Sequence, residues 1–254
     1  MIPESLRTRG VFFAYMFGPP RFVPREEASR VHGKVCDALG LDDLAFKYGI
    51  TGAPEPAARG FSITMERTEG KGGYKVEVDN QSPASPIRLL MSYTWPPSLE
   101  EVKERLDLTA DAVLQGIEGG WTRVMAEVRL RAQVNVRGND AVKYLTERFV
   151  SPRPEWLDGL GQPLAFASAR FEVDGLPSPS NSLENPRREL TVEVLREDRR
   201  CVYLELMTQW VQGHPGTPGA TLDLEKIRAI DQEPSAYMEE AYDWLTERVQ
   251  GLGV

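Results

Sequence analysis

The sequence has few residues of the kinds that build metal centres and disulfide frameworks. It contains two cysteines and two histidines in 254 residues. Cys36 and Cys201 lie far apart, one in a helical pattern and one in a strand pattern, so we expect two reduced, buried thiols. No H-E-x-x-H, D-x-D-x-D-G or C-x-x-C spacing occurs. The sequence therefore predicts no metal and no cofactor.

Long apolar runs and an excess of basic residues are also missing. The apolar run at residues 11–17 is short for a signal peptide and far too short to cross a bilayer. Lys and Arg number 30 against 38 Asp and Glu, which gives a formal net charge of −8. General nucleic-acid binders usually carry a basic domain. We therefore expect a cytoplasmic protein with no membrane anchor and no nucleic-acid partner.

One long segment, Arg123 to Arg137, alternates between apolar and polar positions. Its apolar positions are Val124, Ala126, Val128, Leu130, Ala132, Val134 and Val136. Its other positions are Arg123, Met125, Glu127, Arg129, Arg131, Gln133, Asn135 and Arg137. This alternation predicts a long strand with one buried and one solvated face. Strands of parallel sheets are buried on both faces and read as continuous apolar runs, so the pattern favours an antiparallel sheet.

The first half of the chain reads as a strand, a helix, three strands and a helix. Predicted strands cover residues 11–17, 61–65, 74–78 and 87–95, and predicted helices cover residues 25–39 and 98–117. Ser98 and Glu101 have the spacing of a capping box for the second helix. The glycine-rich residues 69–73 read as a hairpin turn rather than a phosphate-binding loop, since a strand follows them.

The second half repeats that order of elements. Its predicted elements are a strand at 123–137, a helix at 139–150, strands near 164–173, 189–196 and 201–212, and a final helix capped by Ser235. Two insertions distinguish it, a loop at 176–186 and a loop at 213–219 that leads to a short helix at 224–230. We predict an α+β protein of two similar βαβββα halves, residues 1–120 and 121–254. The antiparallel-type sheets would pack on amphipathic helices as one compact, internally duplicated unit.

Several segments of the second half resemble a known bacterial family. They read VRLRAQVNV, YLTERF, VYLELMTQW and LDLEKIRAI, and an amphipathic helix closes the chain. Together they are similar to a sporadically distributed family of proteins close to this length, for which no activity is established. The central strand of that family tends to read Leu-Arg-Tyr-x-Asn. Here Ala132 follows Leu130 and Arg131, and Asn135 lies one position later, so the resemblance implies no role for the asparagine.

Two histidines are the candidates for catalysis. His32 and Cys36 are four residues apart on a predicted helix, where their side chains can touch, and a Cys-His pair is the minimum for a thiolate nucleophile. Both also flank the apolar stripe of that helix, which favours simple packing. His214 lies in the Gly/Pro-rich loop 212–219, of a kind that often carries function, or it is an ordinary surface histidine.

The arginines of the central strand are the candidate binding surface. The proposed set is Arg123, Arg129, Arg131, Arg137, Tyr203 and His214. Arginines beside an aromatic ring can hold an anionic ligand or a nucleic-acid backbone. Neighbouring strands supply Glu189, Glu193 and Glu205, however, and cross-strand charge pairing is common in sheets. We favour internal pairing and expect Arg129 and Arg131 to pair across strands with these glutamates.

These observations favour a binding protein over an enzyme. The sequence offers no convincing nucleophile, metal cluster or phosphate loop, but it offers long strands and acidic helices for protein contacts. We interpret it as a non-catalytic protein-binding or assembly module of a bacterial cytoplasmic system. The alternative is an enzyme with a pocket that uses His32 and Cys36, or His214, with carboxylates in an unknown reaction. Sheet edges that need cover further predict a homodimer.

Overall fold

The computed structural model places four helices and nine strands within the residues that it describes. Those residues are 6–52, 59–70, 72–80, 82, 84–119, 121–136, 138, 140–149, 167–173, 186–211 and 232–252. The strands are β1 (Arg7–Gly18), β2 (Ala45–Gly52), β3 (Arg59–Glu69), β4 (Gly72–Asn80), β5 (Ile87–Thr94), β6 (Thr122–Asn135), β7 (Ser168–Val173), β8 (Arg187–Val194) and β9 (Cys201–Val211). The helices are α1 (Arg25–Leu39), α2 (Leu99–Gly116), α3 (Ala141–Phe149) and α4 (Pro234–Leu252).

The nine strands form one sheet in the order β2-β3-β4-β5-β1-β6-β9-β8-β7. Every neighbouring pair is antiparallel. The prediction of an α+β protein with an antiparallel sheet is therefore confirmed. The first half contains four strands after its first helix rather than the predicted three. The missed strand is β2, whose alternating Phe46, Tyr48 and Ile50 are interrupted by glycine and polar residues.

One side of the sheet, the helix face, holds the core. Alternate residues of the central strands are fully buried there, among them Val11, Phe13, Tyr15, Val128 and Leu206. All four described helices reach side chains of this face. Alternating apolar residues on a sheet must be covered by another layer, and amphipathic helices supply that layer here.

Local chemistry explains where the helices begin and end. The Ser98 side chain accepts a hydrogen bond from the Glu101 backbone N–H at 3.1 Å, as the capping-box spacing predicts. Helix α2 ends at Gly116, where a Cβ atom would lie 2.7 Å from a methyl group of Val31, so glycine allows close contact with α1. The prediction of an N-cap at Ser235 is wrong, because Ser235 lies within the first turn of the last helix. Helix α4 begins at Pro234, and the Ser235 N–H donates to Asp107 Oδ1 at 2.9 Å.

The alternation predicted for residues 123–137 breaks near its start. The pairing of β1 with β6 runs regularly from Gly10 opposite Arg131 to Met16 opposite Met125, and then shifts so that Phe17 lies opposite Arg123. A bulge of this kind moves the following side chain to the other face. Arg123 consequently lies beside the buried Tyr15, on the helix face. A sequence pattern cannot reveal this shift, because it depends on how β6 pairs with β1.

Three predicted segments of the second half fall on residues that the structure does not describe. The short helix at 224–230, the loop at 213–219 and residues 176–185 of the other loop lie outside the described residues. Within the described ranges, no helix is long and apolar enough to cross a membrane.

Candidate functional site

The side of the sheet opposite the helices carries three of the predicted binding residues, Arg129, Arg131 and Tyr203. We call it the open face, because the described helices all contact the other side. The strands β4, β5, β1, β6, β9 and β8 contribute their polar or partly exposed residues to it, including Lys75, Arg88, Phe12, Arg129 and Glu205. The register of the strands places these side chains in rows across the sheet.

Arg131 lies at the centre of one charge cluster on the open face. Its Nε donates to Glu205 Oε2 at 2.7 Å, and the Tyr203 hydroxyl donates to the same oxygen at 2.7 Å. The guanidinium also stacks over the Phe12 ring, 4.6 Å from its centroid. Burial raises the pKa of Tyr203, and the hydrogen bond to Glu205 raises it further. The pairing expected between Arg131 and Glu205 is therefore present.

Arg129 has a different partner from those expected. Its Nε donates to Glu127 Oε1 at 2.6 Å, two residues away on the same strand. Directly across the sheet it faces Phe12 on β1 and Met207 on β9, neither of which carries a charge. The expected partner Glu189 accepts instead from Arg170 at 2.6 Å. Expectation and structure differ because β9 separates β6 from Glu189 and Glu193 on β8, and because Glu205 lies opposite Arg131.

Ion pairs extend across the rest of the open face. They are Lys47 with Glu66 at 2.7 Å, Lys75 with Glu77 at 2.8 Å, Arg88 with Asp79 at 2.7 Å, and Arg187 with Glu172. Exposed pairs of this kind each contribute at most about 1 kcal/mol to stability. Their larger effect is electrostatic, since opposite charges at short range leave little net field for a polyanion.

An apolar strip runs through the middle of these charges. It consists of Phe12, Ala14 and Met16 along β1, with Leu90 and Met125 beside them. Ala14 is buried and the other four are partly exposed. Contiguous apolar surface with a polar rim is typical of a contact site for another macromolecule.

One member of the predicted binding set, Arg123, lies on the helix face. Arg123 Nη1 donates to the Gln232 carbonyl oxygen at 3.1 Å, and its guanidinium stacks 4.8 Å from the Tyr15 ring centroid. The Tyr15 hydroxyl donates to the same carbonyl at 2.6 Å. Arg123 therefore holds the segment before α4 rather than contributing to the open face. Arg137 and His214 lie outside the described residues.

His32 and Cys36 are in contact, but their arrangement does not suit catalysis. His32 Nε2 lies 3.0 Å from the Leu44 carbonyl oxygen and 3.4 Å from Cys36 Sγ. A carbonyl oxygen can only accept, so Nε2 carries the proton and has no lone pair with which to deprotonate the thiol. Burial raises the pKa of Cys36, and the nearby carboxylates of Asp37, Asp42 and Asp43 raise it further. The site disfavours the thiolate that a nucleophile requires.

Cys201 is buried, and its Sγ lies 2.9 Å from Asn135 Oδ1. Among the described residues, no group of three or more His, Cys, Asp or Glu side chains could hold a metal ion.

Sequence reasoning missed the cluster around Glu27, whose buried carboxylate accepts from Arg21 and from the Glu118 N–H at 2.7 Å. Its location beside Ala28 on the buried side of α1 was the available signal.

No protein-family model and no curated protein matches this chain. The solved structures with some similarity to this chain include that of the S. pombe Pct1 RNA triphosphatase in complex with the Spt5 CTD. The two share 10% sequence identity over 96% of this chain and 81% of that chain, with a TM-score of 0.12. At such a low TM-score, the similarity supports no conclusion about the fold or the function.

Proposed function

We propose that the chain is a non-catalytic protein-binding or assembly module of a bacterial cytoplasmic system, and that the open face is its binding surface. The main support for the proposal is the apolar strip, which paired charges surround. It consists of Phe12, Ala14, Met16, Leu90 and Met125. A surface with an apolar centre and a polar rim matches the anatomy of protein interfaces.

The composition of the strip suits contact with another protein. Methionine side chains are flexible and polarizable, so they adapt to the shape of a partner. Phe12 is held in place by the Arg131 guanidinium, 4.6 Å from its ring centroid. A rigid aromatic ring beside adaptable methionines is a combination that interfaces use at their energetic centres.

The charges on the open face favour a protein partner over a phosphate-rich one. Arg131 is paired with Glu205, Arg129 with Glu127, and Arg88 with Asp79. A nucleic acid would have to displace these carboxylates and approach a chain with a net charge of −8. An uncharged or mixed-charge protein surface would not have to displace these carboxylates, and the net negative charge of the chain would not repel it.

The enzyme alternative has less support. His32 donates its Nε2 proton to the Leu44 carbonyl, and a raised pKa disfavours the Cys36 thiolate. His214, the other candidate, lies outside the described residues.

A pair of matched variants tests the binding proposal. Leu90→Lys places a charge in the apolar strip, opposite Glu77 and across Ala14 from Glu127, where these carboxylates can accommodate it without unfolding the sheet. Leu108→Lys is the control, because Leu108 is 38% exposed on α2, away from the open face. Each tagged variant would be purified from its native host after chemical cross-linking. We expect a stoichiometric partner that is lost with Leu90→Lys and retained with Leu108→Lys. Partners that do not distinguish the two variants would exclude the open face.

We also propose that residues 1–120 and 121–254 are two copies of one βαβββα unit. In support, β1 and β6 are neighbours, with β5, β4 and β3 running outward from β1 and β9, β8 and β7 running outward from β6. Strand β2 is then an addition to the first half. A comparison of sequence profiles built separately from homologues of each half tests this. Alignment of β1 with β6 and of β5 with β9 above the level of shuffled profiles is expected, and its absence would refute the duplication.

A further inference from the structure

Strand β2 forms one edge of the sheet. Its inner side pairs with β3 along its whole length of eight residues, and no described strand pairs with its outer side. An edge strand presents a row of backbone N–H and C=O groups that another strand can use. Natural edges are usually protected by several charges, but the only charged side chain of β2 is that of Lys47.

Ile50 is the most exposed large apolar side chain among the described residues, at 58%. It belongs to the helix face of β2, opposite Phe61 on β3. The preceding residues of that face are covered by neighbouring groups. The His32 ring lies 4.9 Å from the Phe46 ring, and the Tyr48 hydroxyl donates to the Val23 carbonyl at 2.9 Å. Ile50 therefore extends the apolar side of β2 beyond the residues that these neighbouring groups cover.

The opposite edge of the sheet differs. Strand β7 is shorter, with six residues, and carries both Arg170 and Glu172. Its apolar Phe171 is 40% exposed, but its ring already packs 5.3 Å from that of Phe149 on α3. Charges on the strand and this ring contact protect the β7 edge, so β2 is the less protected of the two.

We propose that β2 pairs with β2 of a second copy of this chain, antiparallel, about a two-fold axis at Tyr48. Antiparallel pairing about such an axis keeps each face of the sheet on the same side. In this register Ile50 of each copy lies opposite Phe46 of the other, which covers the exposed isoleucine with an aromatic ring. On the other face Lys47 lies opposite Gly49, so no like charges meet across the junction.

Charges near the axis favour a second copy over an unrelated peptide. Arg25 and Glu26 begin helix α1 and lie close enough to Tyr48 to act on its hydroxyl. Burial raises the pKa of Tyr48, Glu26 raises it further and Arg25 lowers it. With Tyr48 at the two-fold axis, each copy brings one positive and one negative charge close to the junction. The charge there is therefore balanced, as a self-complementary interface requires.

Sedimentation equilibrium on the full chain tests the proposal directly. We expect the wild type to have twice the chain mass of 28.5 kDa. Ile50→Lys should raise the dimer dissociation constant at least about tenfold, because the new charge would be buried against an aromatic ring. Phe171→Lys is the matched control on the other edge and should leave the dimer intact. A monomeric wild type, an Ile50→Lys variant with the dissociation constant of the wild type, or a monomeric Phe171→Lys would each overturn the proposal.

Disulfide trapping tests the register. Residues at the two-fold axis face each other within about 4.5–5.5 Å between Cα atoms, which suits a disulfide. Tyr48→Cys should therefore form a covalent dimer under mild oxidation. Lys47→Cys should not, because its two copies lie on a diagonal about 8 Å apart. Cross-linking of both variants at equal rates would contradict an axis at Tyr48. This edge is separated from the apolar strip by β3 and β4, so the proposal stands independently of the proposed function.

Discussion

Individual side chains of the same strand contact different parts of the molecule. Arg131 stacks on Phe12 and pairs with Glu205 on the open face. Arg123, on the same strand, stacks on Tyr15 and holds the Gln232 carbonyl on the helix face. The residue type is identical, so its role is set by which side of the sheet the backbone directs it to. Whether a charged side chain is buried likewise depends on its place in the fold, as the buried carboxylate of Glu27 shows.

Glu27→Ala should lower the free energy of unfolding by about 3 kcal/mol or more. The carboxylate is only 6% exposed, and its removal leaves Arg21 without its ion-pair partner and the Glu118 N–H without its acceptor. Urea denaturation of both proteins measures the difference. Glu118→Ala is the control, because that side chain is 74% exposed and its pair with Arg30 contributes at most about 1 kcal/mol. Equal losses for the two variants would contradict a special role for Glu27.

Cys36 should react slowly with iodoacetamide. Burial and the nearby Asp37 raise its pKa, so at neutral pH a smaller fraction is thiolate than in a free thiol. The reaction rate should keep rising with pH after that of glutathione has levelled off. Mass spectrometry of the labelled peptide over a pH series provides the measurement. Fast labelling at pH 6 that His32→Ala abolishes would instead support the enzyme alternative.

Secondary-structure elements are joined by a small number of polar contacts. Asp107 on α2 accepts from the Ser235 N–H at the start of α4, and Arg188 on β8 pairs with Glu240 on α4 at 2.8 Å. These contacts connect α4 to α2 and to β8. A carboxylate at a helix N-terminus satisfies a free N–H and interacts favourably with the helix dipole.

Asp107→Ala should lower the free energy of unfolding by about 1 kcal/mol, the typical cost of losing a helix cap. Because the cap comes from another helix, the loss should also loosen the first turn of α4. Amide hydrogen exchange at residues 235–238 measures that effect. Asp111→Ala, exposed on the same helix, is the control and should change neither quantity. Unchanged exchange in Asp107→Ala would show that α4 starts independently of this contact.

Replacing Arg129 and Arg131 together by glutamate should lower the free energy of unfolding by about 1–3 kcal/mol. Each new carboxylate would face an existing one, Glu127 or Glu205, across a short distance. The corresponding double glutamine variant removes the pairs without repulsion and should be less destabilised. Chemical denaturation of both variants makes the comparison, and equal stability of the two would contradict like-charge repulsion as the cause.

At the scale of the whole molecule, one continuous antiparallel sheet carries helices on one side and paired charges on the other. The β1 and β6 pair joins the two halves, so residues far apart in sequence share one surface. The net charge of −8 and the local pairing of the arginines act in the same direction. Both oppose the approach of a polyanion.

The whole protein should show no appreciable binding to DNA or RNA at physiological salt. Fluorescence anisotropy of labelled single- and double-stranded oligonucleotides, titrated over a range of salt concentrations, measures this. Phosphate contacts by several arginines would produce affinity that falls steeply with salt. Salt-sensitive micromolar binding that disappears in a folded Arg129/Arg131 double glutamine variant would show that the open face does bind nucleic acid.

Much of the architecture was determined by local sequence. Alternation along β1, β4, β5 and most of β6 identified the strands, because a strand that is buried on one side must alternate. The spacing of Ser98 and Glu101 predicted the start of α2 for an equally local reason. The class of the fold and the antiparallel sheet follow from such patterns, which depend only on neighbours in the chain.

Only the tertiary structure decided which residues meet. The shift in pairing that moves Arg123 to the helix face depends on β1, and the partner of Arg129 depends on β9 lying next to β6. The burial of Glu27 depends on residues as distant as Glu118. Strand order and register are set by the sum of contacts over the whole sheet. A pattern within one segment therefore predicts that a residue lies in a strand, but not which side chain it will contact.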